Sequence, residues 1–317
     1  MSGINHRTVK ANGINIHVAE QGEGPLVIMV HGFPESWYSW RHQLPALAEA
    51  GFHAVALDMR GYGRTDAPPA IEDYDIKHLT ADVVGVIDAL GEQTAVIVGH
   101  DWGAMCAWNC ALLHASRFRA VAGLSVPYTG RAPMPPTQLF EAVSGGNFFY
   151  ILYFQEPGIA EAEFESNVPR SMRLFLWAAS GEAPQDIPQF AGKPRNSKLF
   201  DGVPEPDALP PWLTQKDLDY FVSEFQRTGF RGGINWYRNF DRNWELTPKL
   251  AGAKVKQPAL FIAGDRDGVI RMVPPESMRP HMEDLRKLVM LPGCGHWTQQ
   301  ERPAEVNAEL IEFLRSL

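Results

Sequence analysis

Thr94-Ala-Val-Ile-Val-Gly99-His100-Asp101-Trp102-Gly103-Ala104-Met105 carries an apolar, β-branched run straight into Gly-x-Asp-x-Gly and then into helix-forming residues. An unbroken run of this kind suits a strand buried on both faces of a sheet. The two glycines admit a sharp strand-to-helix turn around Asp101. An aspartate ahead of a helix is ordinarily an N-cap, so the motif gains chemical meaning only from its surroundings. Similar runs lie at Leu26 to Val30, Ala54 to Leu57 and Val121 to Val126, alternating with helix-like stretches at Leu44 to Ala50, Ile76 to Leu90 and Ala104 to Leu113. That alternation predicts an α/β fold with a parallel sheet. Val9 to Ala19, with Asn12-Gly13 at its centre, predicts an antiparallel hairpin at the sheet edge.

The pattern stops at Arg131. From there to Trp244 the sequence shows no strand, only helix-like segments at Thr137 to Val143, Phe148 to Phe154, Ile159 to Glu165, Pro169 to Ala179, Gln215 to Arg227 and Gly233 to Arg242. These 114 residues hold 20 of the chain's 34 aromatic side chains, an excess that suits a helical lid, although most of the twenty are expected to build the lid's own core. Gly181 to Leu213 carries seven prolines and reads as an excursion without regular structure. Strands resume at Ala259 to Ala263 and Lys287 to Leu291, and Pro303 to Leu317 is a closing helix with proline in its first turn. The expected organisation is a discontinuous core, residues 1–130 and 245–317, interrupted by a lid over residues 131–244.

Twenty-nine basic against 37 acidic side chains give a net charge of −8, which argues against nucleic acid or an anionic membrane as partner. Met1 to Lys10 is polar and lacks the apolar stretch of a signal peptide, and no window approaches a membrane span, so a cytoplasmic location is expected. Cys106, Cys110 and Cys294 form neither a CxxC pair nor a disulfide framework. With no GxGxxG or P-loop string either, no metal and no nucleotide or other organic cofactor is expected.

Several strings together resemble the soluble epoxide hydrolases of the α/β-hydrolase superfamily: the elbow around Asp101, His31-Gly32-Phe33-Pro34 after an early strand, and Cys294-Gly-His296-Trp297 near the C-terminus. Two lid segments join them, Phe149-Tyr150-Ile-Leu-Tyr153-Phe154-Gln155-Glu156-Pro157-Gly158 and Gly232-Gly233-Ile-Asn235-Trp236-Tyr237-Arg238-Asn239. The resemblance runs over essentially the whole chain. It implies a mostly parallel eight-stranded sheet with helices on both faces and an inserted helical lid. It also implies that Asp101 is the nucleophile, His296 the base and Asp267 the acid that orients it, in the chain order of this fold. Asp265 is the competitor for the last role and suits loop stabilisation better. The Phe33 and Trp102 N–H groups would form the oxyanion hole, and Phe33, Trp102 and Phe154 would contact substrate. Tyr150 and Tyr237 would be ring-opening acids, with Tyr153, one helical turn from Tyr150, as the competing choice.

The chemistry of a carboxylate nucleophile narrows the reaction. Attack on a carbonyl would yield only an unstable anhydride, so Asp101 suits an sp³ carbon, and a histidine is then needed to activate water against the resulting ester. A departing halide needs only weak donors, whereas an opening epoxide generates an alkoxide that requires a proton, which a tyrosine can supply. The resulting expectation is hydrolysis of an apolar or aryl-substituted epoxide to a vicinal diol by a monomer or homodimer. A haloalkane dehalogenase sharing the Asp-Trp pair is the first rival, and a non-catalytic ligand receptor on the same fold is the second. A fluoroacetate-type dehalogenase is disfavoured because the lid contains no histidine, and a serine esterase because no Gly-x-Ser-x-Gly occurs.

Overall fold

The computed structural model describes residues 3–187 and 190–317. Eight strands form one sheet: β1 (Asn5–Ala11), β2 (Ile14–Gln21), β3 (Leu26–Val30), β4 (His53–Leu57), β5 (Ala95–His100), β6 (Phe118–Leu124), β7 (Val255–Gly264) and β8 (Met282–Leu291). Their order is β1-β2-β4-β3-β5-β6-β7-β8. β2 is antiparallel to both its neighbours, and every pairing from β4 through β8 is parallel. β3 and β5 are buried at every residue, as their unbroken apolar runs require.

The edges are longer than the sequence pattern suggests. β1 begins at Asn5 because its first four residues are exposed and polar, which leaves no apolar alternation to read. β8 likewise starts five residues before Lys287, through the charged segment Met282–Arg286. Asn12 at φ 47° and Gly13 at φ 81° give the β1–β2 hairpin its tight turn. Helices Ile76–Ala89 and Trp102–Leu113 pack together on one face of the sheet, and Gln43–Glu49 with Pro303–Arg315 on the other.

Between Leu124 and Val255 the described residues contribute no strand to the sheet. They form helices Pro136–Ser144, Tyr150–Tyr153, Ile159–Ser166, Val168–Ala178, Gln215–Thr228, Arg231–Arg238 and Phe240–Leu246. Two sequence expectations need correction. The helix foreseen from Phe148 starts only at Tyr150, because Phe148 and Phe149 are extended and pair with the proline-rich excursion. Phe148 N–H donates to the Lys193 carbonyl at 2.7 Å, Gly192 N–H to the Phe148 carbonyl at 2.9 Å, and Phe149 bridges Ala191. The helix foreseen over Gly233 to Arg242 is two helices, broken at Asn239, whose amide donates to the Ile71 and Asn235 carbonyls.

The topology fixes where a ligand can sit. β3 is followed by β4 on one side of it, and β5 by β6 on the other, so the chain leaves a crevice at the C-terminal ends of β3 and β5. In open α/β sheets that switch point is where ligands bind.

Candidate active site

β5 ends at His100 and the next helix begins at Trp102, leaving Asp101 alone in the turn at φ 54°, ψ −120°. This is a costly backbone conformation for a residue with a side chain, of the kind that persists where surrounding structure over-determines it. The strain sits on Asp101 itself, whereas the glycines serve close approach. A Cβ on Gly99 would strike the Gly103 carbonyl, one on Gly103 the Val30 carbonyl, and one on Gly32 the Asp101 carboxylate. Strand, helix and the loop after β3 therefore meet at backbone contact around one carboxyl group.

Phe33 N–H donates to Asp101 Oδ1 at 2.9 Å. Trp102 opens its helix, so its N–H is a first-turn donor without an acceptor in the helix. The remaining oxygen, Oδ2, lies 3.4 Å from His296 Nε2, and His296 Nδ1 lies 3.0 Å from Asp267 Oδ2. Asp267 also accepts the Val269 N–H at 2.8 Å, which fixes its carboxylate. Asp265 instead accepts the Gly293 N–H at 2.8 Å, a loop contact. Burial disfavours a charged imidazole at His296, but Asp267 and Asp101 together outweigh it and hold the ring well above its ordinary value of 6.5.

A second layer of buried polar groups, absent from the sequence reading, holds this arrangement. His100 Nε2 donates to the His296 carbonyl at 2.7 Å, and His100 Nδ1 lies 2.6 Å from Glu35 Oε2. Both ring nitrogens of His100 thus face oxygen acceptors. Burial alone would lift the Glu35 carboxyl, yet His100 beside it brings it down to about 2. Glu35 also accepts the Gly32 N–H at 2.9 Å and the Gln299 and Gln300 amides, so one carboxylate ties the loop carrying Phe33 to the loop carrying His296. Ser125 Oγ donates to the same His296 carbonyl at 2.8 Å, and Glu301 accepts the Gly295 N–H at 2.8 Å and the Trp297 N–H at 3.1 Å. The available signal was charge inside runs that read as buried: a glutamate just past His31-Gly-Phe-Pro and a histidine inside the elbow.

Above this floor, Tyr150 and Tyr237 stand over Asp101 with ring centroids 5.8 Å apart. Burial first, and the Asp101 carboxylate second, push both phenols well above the ordinary value of 10. Both therefore stay protonated at neutral pH. Tyr153 turns away, donating to Glu163 Oε2 at 2.6 Å. The helix carrying Tyr237 presses on the core because Gly232 and Gly233 leave room where a Cβ would strike Gly61 and the Tyr62 hydroxyl. Trp236 Nε1 then reaches the Arg60 carbonyl at 3.1 Å.

Two cavities converge on Asp101, Tyr150 and Tyr237. One, of 330 Å³, is walled by Phe33, Phe175 and Phe190 and contains His296. The other, of 460 Å³, passes Trp102 and Phe140 toward Trp244. Phe33 lines the first cavity and Trp102 the second. Phe154 does not: it is fully buried, lines neither cavity, and packs edge-on against Phe33, Tyr150 and Tyr237 at 5.6, 5.6 and 4.9 Å. Its place is behind the tyrosines rather than against a ligand. Among the described residues no cluster of three or more His, Cys, Asp or Glu side chains could hold a metal ion, and no helix is long and apolar enough to cross a membrane.

Comparison with known proteins agrees with this geometry. Residues 25–303 match the α/β-hydrolase fold family. Epoxide hydrolase A of Mycobacterium tuberculosis is 51% identical, over 100% of this chain and 99% of its own length. The crystal structure of epoxide hydrolase A from Mycobacterium thermoresistibile superposes with a TM-score of 0.95 at 51% identity, covering 99% of each chain. An epoxide hydrolase from an endophytic Streptomyces gives 0.97 at 45% identity, covering 100% of this chain and 96% of that one. The chain belongs to the α/β-hydrolase family and, within it, to the epoxide hydrolases.

Proposed function

We propose that the chain opens an epoxide in two covalent stages beneath a lid formed by residues 131–244. Asp101 Oδ2 attacks one ring carbon, the C–O bond breaks, and the ring oxygen takes a proton from the Tyr150–Tyr237 pair. Asp101 Oδ1, already held by the Phe33 N–H at 2.9 Å, becomes the carbonyl oxygen of the ester. A water deprotonated by His296 then attacks the ester carbon. The Phe33 and Trp102 N–H groups take the developing charge on Oδ1; collapse expels the alkoxide, which takes the proton from His296 and leaves as the diol, and the proton left on the Asp101 carboxyl returns to the tyrosine pair. Asp267 keeps His296 in the tautomer that presents Nε2 to the water and balances the imidazolium once it forms. Metal and organic cofactors have no part in this scheme.

The two carboxylates around His296 set the order of events. In the resting site both face the ring and together hold the imidazole well above its ordinary value. Esterification of Asp101 removes one of those charges and loosens the proton on His296. Ring opening likewise disperses the Asp101 charge that raises the two phenols, which makes them better donors as the alkoxide develops.

The observation that carries this reading is the convergence of Asp101, His296 and both tyrosines on one cavity junction. Intact mass of a His296→Gln variant after one turnover tests it: the ester should accumulate as an adduct of one substrate mass, and an adduct-free, active variant would remove His296 from the scheme. A panel of haloalkanes bears on the rival reading, since halide release without epoxide turnover would favour a dehalogenase. The substrate expected from the cavity walls is a small apolar or aryl-substituted epoxide.

A further inference from the structure

Tyr150 and Tyr237 stand on pieces of helix that are poorly held by their own backbone. The helix of Tyr150 is a single turn, Tyr150–Tyr153, and Tyr237 is the last residue but one of Arg231–Arg238. An isolated turn is unstable, and helix ends fray. Because the rings rest on other rings, the distance between the two phenols is set where their backbones are tied together.

The tie lies one residue from Tyr237. The Arg238 side chain crosses to the segment that follows Tyr150, where Nε donates to the Phe154 carbonyl at 3.1 Å and Nη2 to the Glu156 carbonyl at 3.2 Å. Nη1 and Nη2 also grip the Glu161 carboxylate, at 2.6 and 2.9 Å, and Nη1 donates to Asn235 Oδ1 at 2.9 Å. All five N–H donors of the guanidinium are thereby engaged, in a side chain only 4% exposed. Glu161 is fixed in turn by the Gly158 N–H, 3.0 Å from Oε2. Burial would lift the Glu161 carboxyl, but Arg238 beside it brings it below its ordinary value. A second tie runs the other way: Gln155 Nε2 donates to the Ile151 carbonyl at 2.8 Å and to the Tyr237 carbonyl at 3.0 Å. A buried ion pair of this kind adds little net stability over apolar packing, but its planar fork fixes angle as well as distance. Groups that serve one leaving oxygen need that, since a displacement of about 1 Å can cost on the order of 10²-fold in rate.

We propose that Arg238, braced by Glu161 and joined by Gln155, is a positioning residue for ring opening, setting the spacing at which Tyr150 and Tyr237 share the epoxide oxygen. Arg238 lines neither cavity and acts through the two tyrosines. This inference rests on the epoxide-opening reading above and adds to it what holds the two acids in register.

Single-turnover kinetics with styrene oxide, resolving ester formation from ester hydrolysis, test the brace. Arg238→Lys keeps a charge beside Glu161 but loses the planar fork, and it should slow ester formation roughly tenfold while hydrolysis stays close to the wild-type rate. Gln155→Met should slow the same step by less, about threefold, because one amide is lost and the guanidinium stays. A merely structural role would add its loss to that of any other variant, whereas a spacing between two tyrosines ceases to matter once one is gone. In a Tyr150→Phe background, Arg238→Lys should therefore cost less than about twofold more. Unchanged ester formation in Arg238→Lys would overturn the proposal, as would equal slowing of both steps or the full tenfold loss repeated in the Tyr150→Phe background. If Arg238→Lys does not fold, Gln155→Met, alone and combined with Tyr150→Phe, decides by the same comparison. A wild-type chain that forms no ester with any epoxide would overturn the epoxide-opening reading itself; ester formation at the wild-type rate in both variants would overturn the brace alone.

Discussion

The floor and the ceiling of this site are held by different physics. Asp101, Phe33, Asp267 and His296 stand on loops that leave the C-terminal ends of parallel strands, and buried polar contacts through Glu35, His100 and Glu301 lock those loops to one another. Tyr150 and Tyr237 stand on short helices whose rings rest on other rings, at 5.6 Å from Tyr150 to Phe154 and 5.1 Å from Tyr237 to Trp102. Directional hydrogen bonds suit groups that must meet one carboxylate at a fixed angle. Aromatic packing tolerates more adjustment, which suits the proposed role of the two tyrosines as ring-opening acids.

Variants should separate the two layers. The largest loss is expected on the floor: Asp101→Asn removes the proposed nucleophile, and turnover should fall by about 10⁴-fold or more, with no ester detected by mass. The ceiling comes next. Tyr150→Phe and Tyr237→Phe should each slow ester formation by roughly 10²-fold, and the double variant more, while hydrolysis of pre-formed ester stays close to the wild-type rate. Rapid-quench measurement of both steps checks this, and an equal slowing of the two would merge the layers into one.

How much of this could be read in the chain follows the same division. The buried strands and the elbow were legible because a strand covered on both faces must be apolar throughout, and because glycines are forced wherever a helix and a strand touch backbone to backbone. His296 and Asp267 were proposed from the chain order that the resemblance implies. Tyr150 could be separated from Tyr153 only by resemblance, since the two lie one turn apart and both are aromatic. The coordinates separate them by a partner, Glu163, which lies ten residues beyond Tyr153 and leaves no local signal. The excursion from Gly181 to Leu213 reads as lacking regular structure because of its prolines. It instead pairs with Phe148 and Phe149 and accepts the Tyr150 N–H at the Phe190 carbonyl, 2.9 Å away.

That excursion supplies a smaller effect. The Lys193 ammonium, which is buried, donates to the Lys198 carbonyl at 3.0 Å and also bonds the Leu199 carbonyl, folding the excursion against the extended residues Phe148 and Phe149 that precede Tyr150. Lys193→Met should slow ester formation by less than about tenfold and lower stability by about 1–3 kcal/mol through carbonyls left without donors. Stopped-flow kinetics and denaturant titration of the same preparation check both. A loss in ester hydrolysis instead would place Lys193 with the floor.

The smallest effect lies in stability against pH. His296 is held above its unfolded value by two carboxylates. Its contribution to folding is therefore full below about pH 6.5 and is lost as pH rises through the raised folded value. The gap in melting temperature between wild type and His296→Gln should be widest in mildly acidic solution and close toward alkaline pH. A gap that widens with pH would mean that the ring is buried neutral.

A single-turnover reaction in ¹⁸O-water, with enzyme in excess, tests the covalent route most directly. The oxygen that enters the first diol should come from the Asp101 carboxylate, so that diol should be unlabelled and the label should appear in the peptide containing Asp101. Label in the first-turnover diol, with Asp101 unlabelled, would mean that water opens the ring directly and that Asp101 is not the nucleophile.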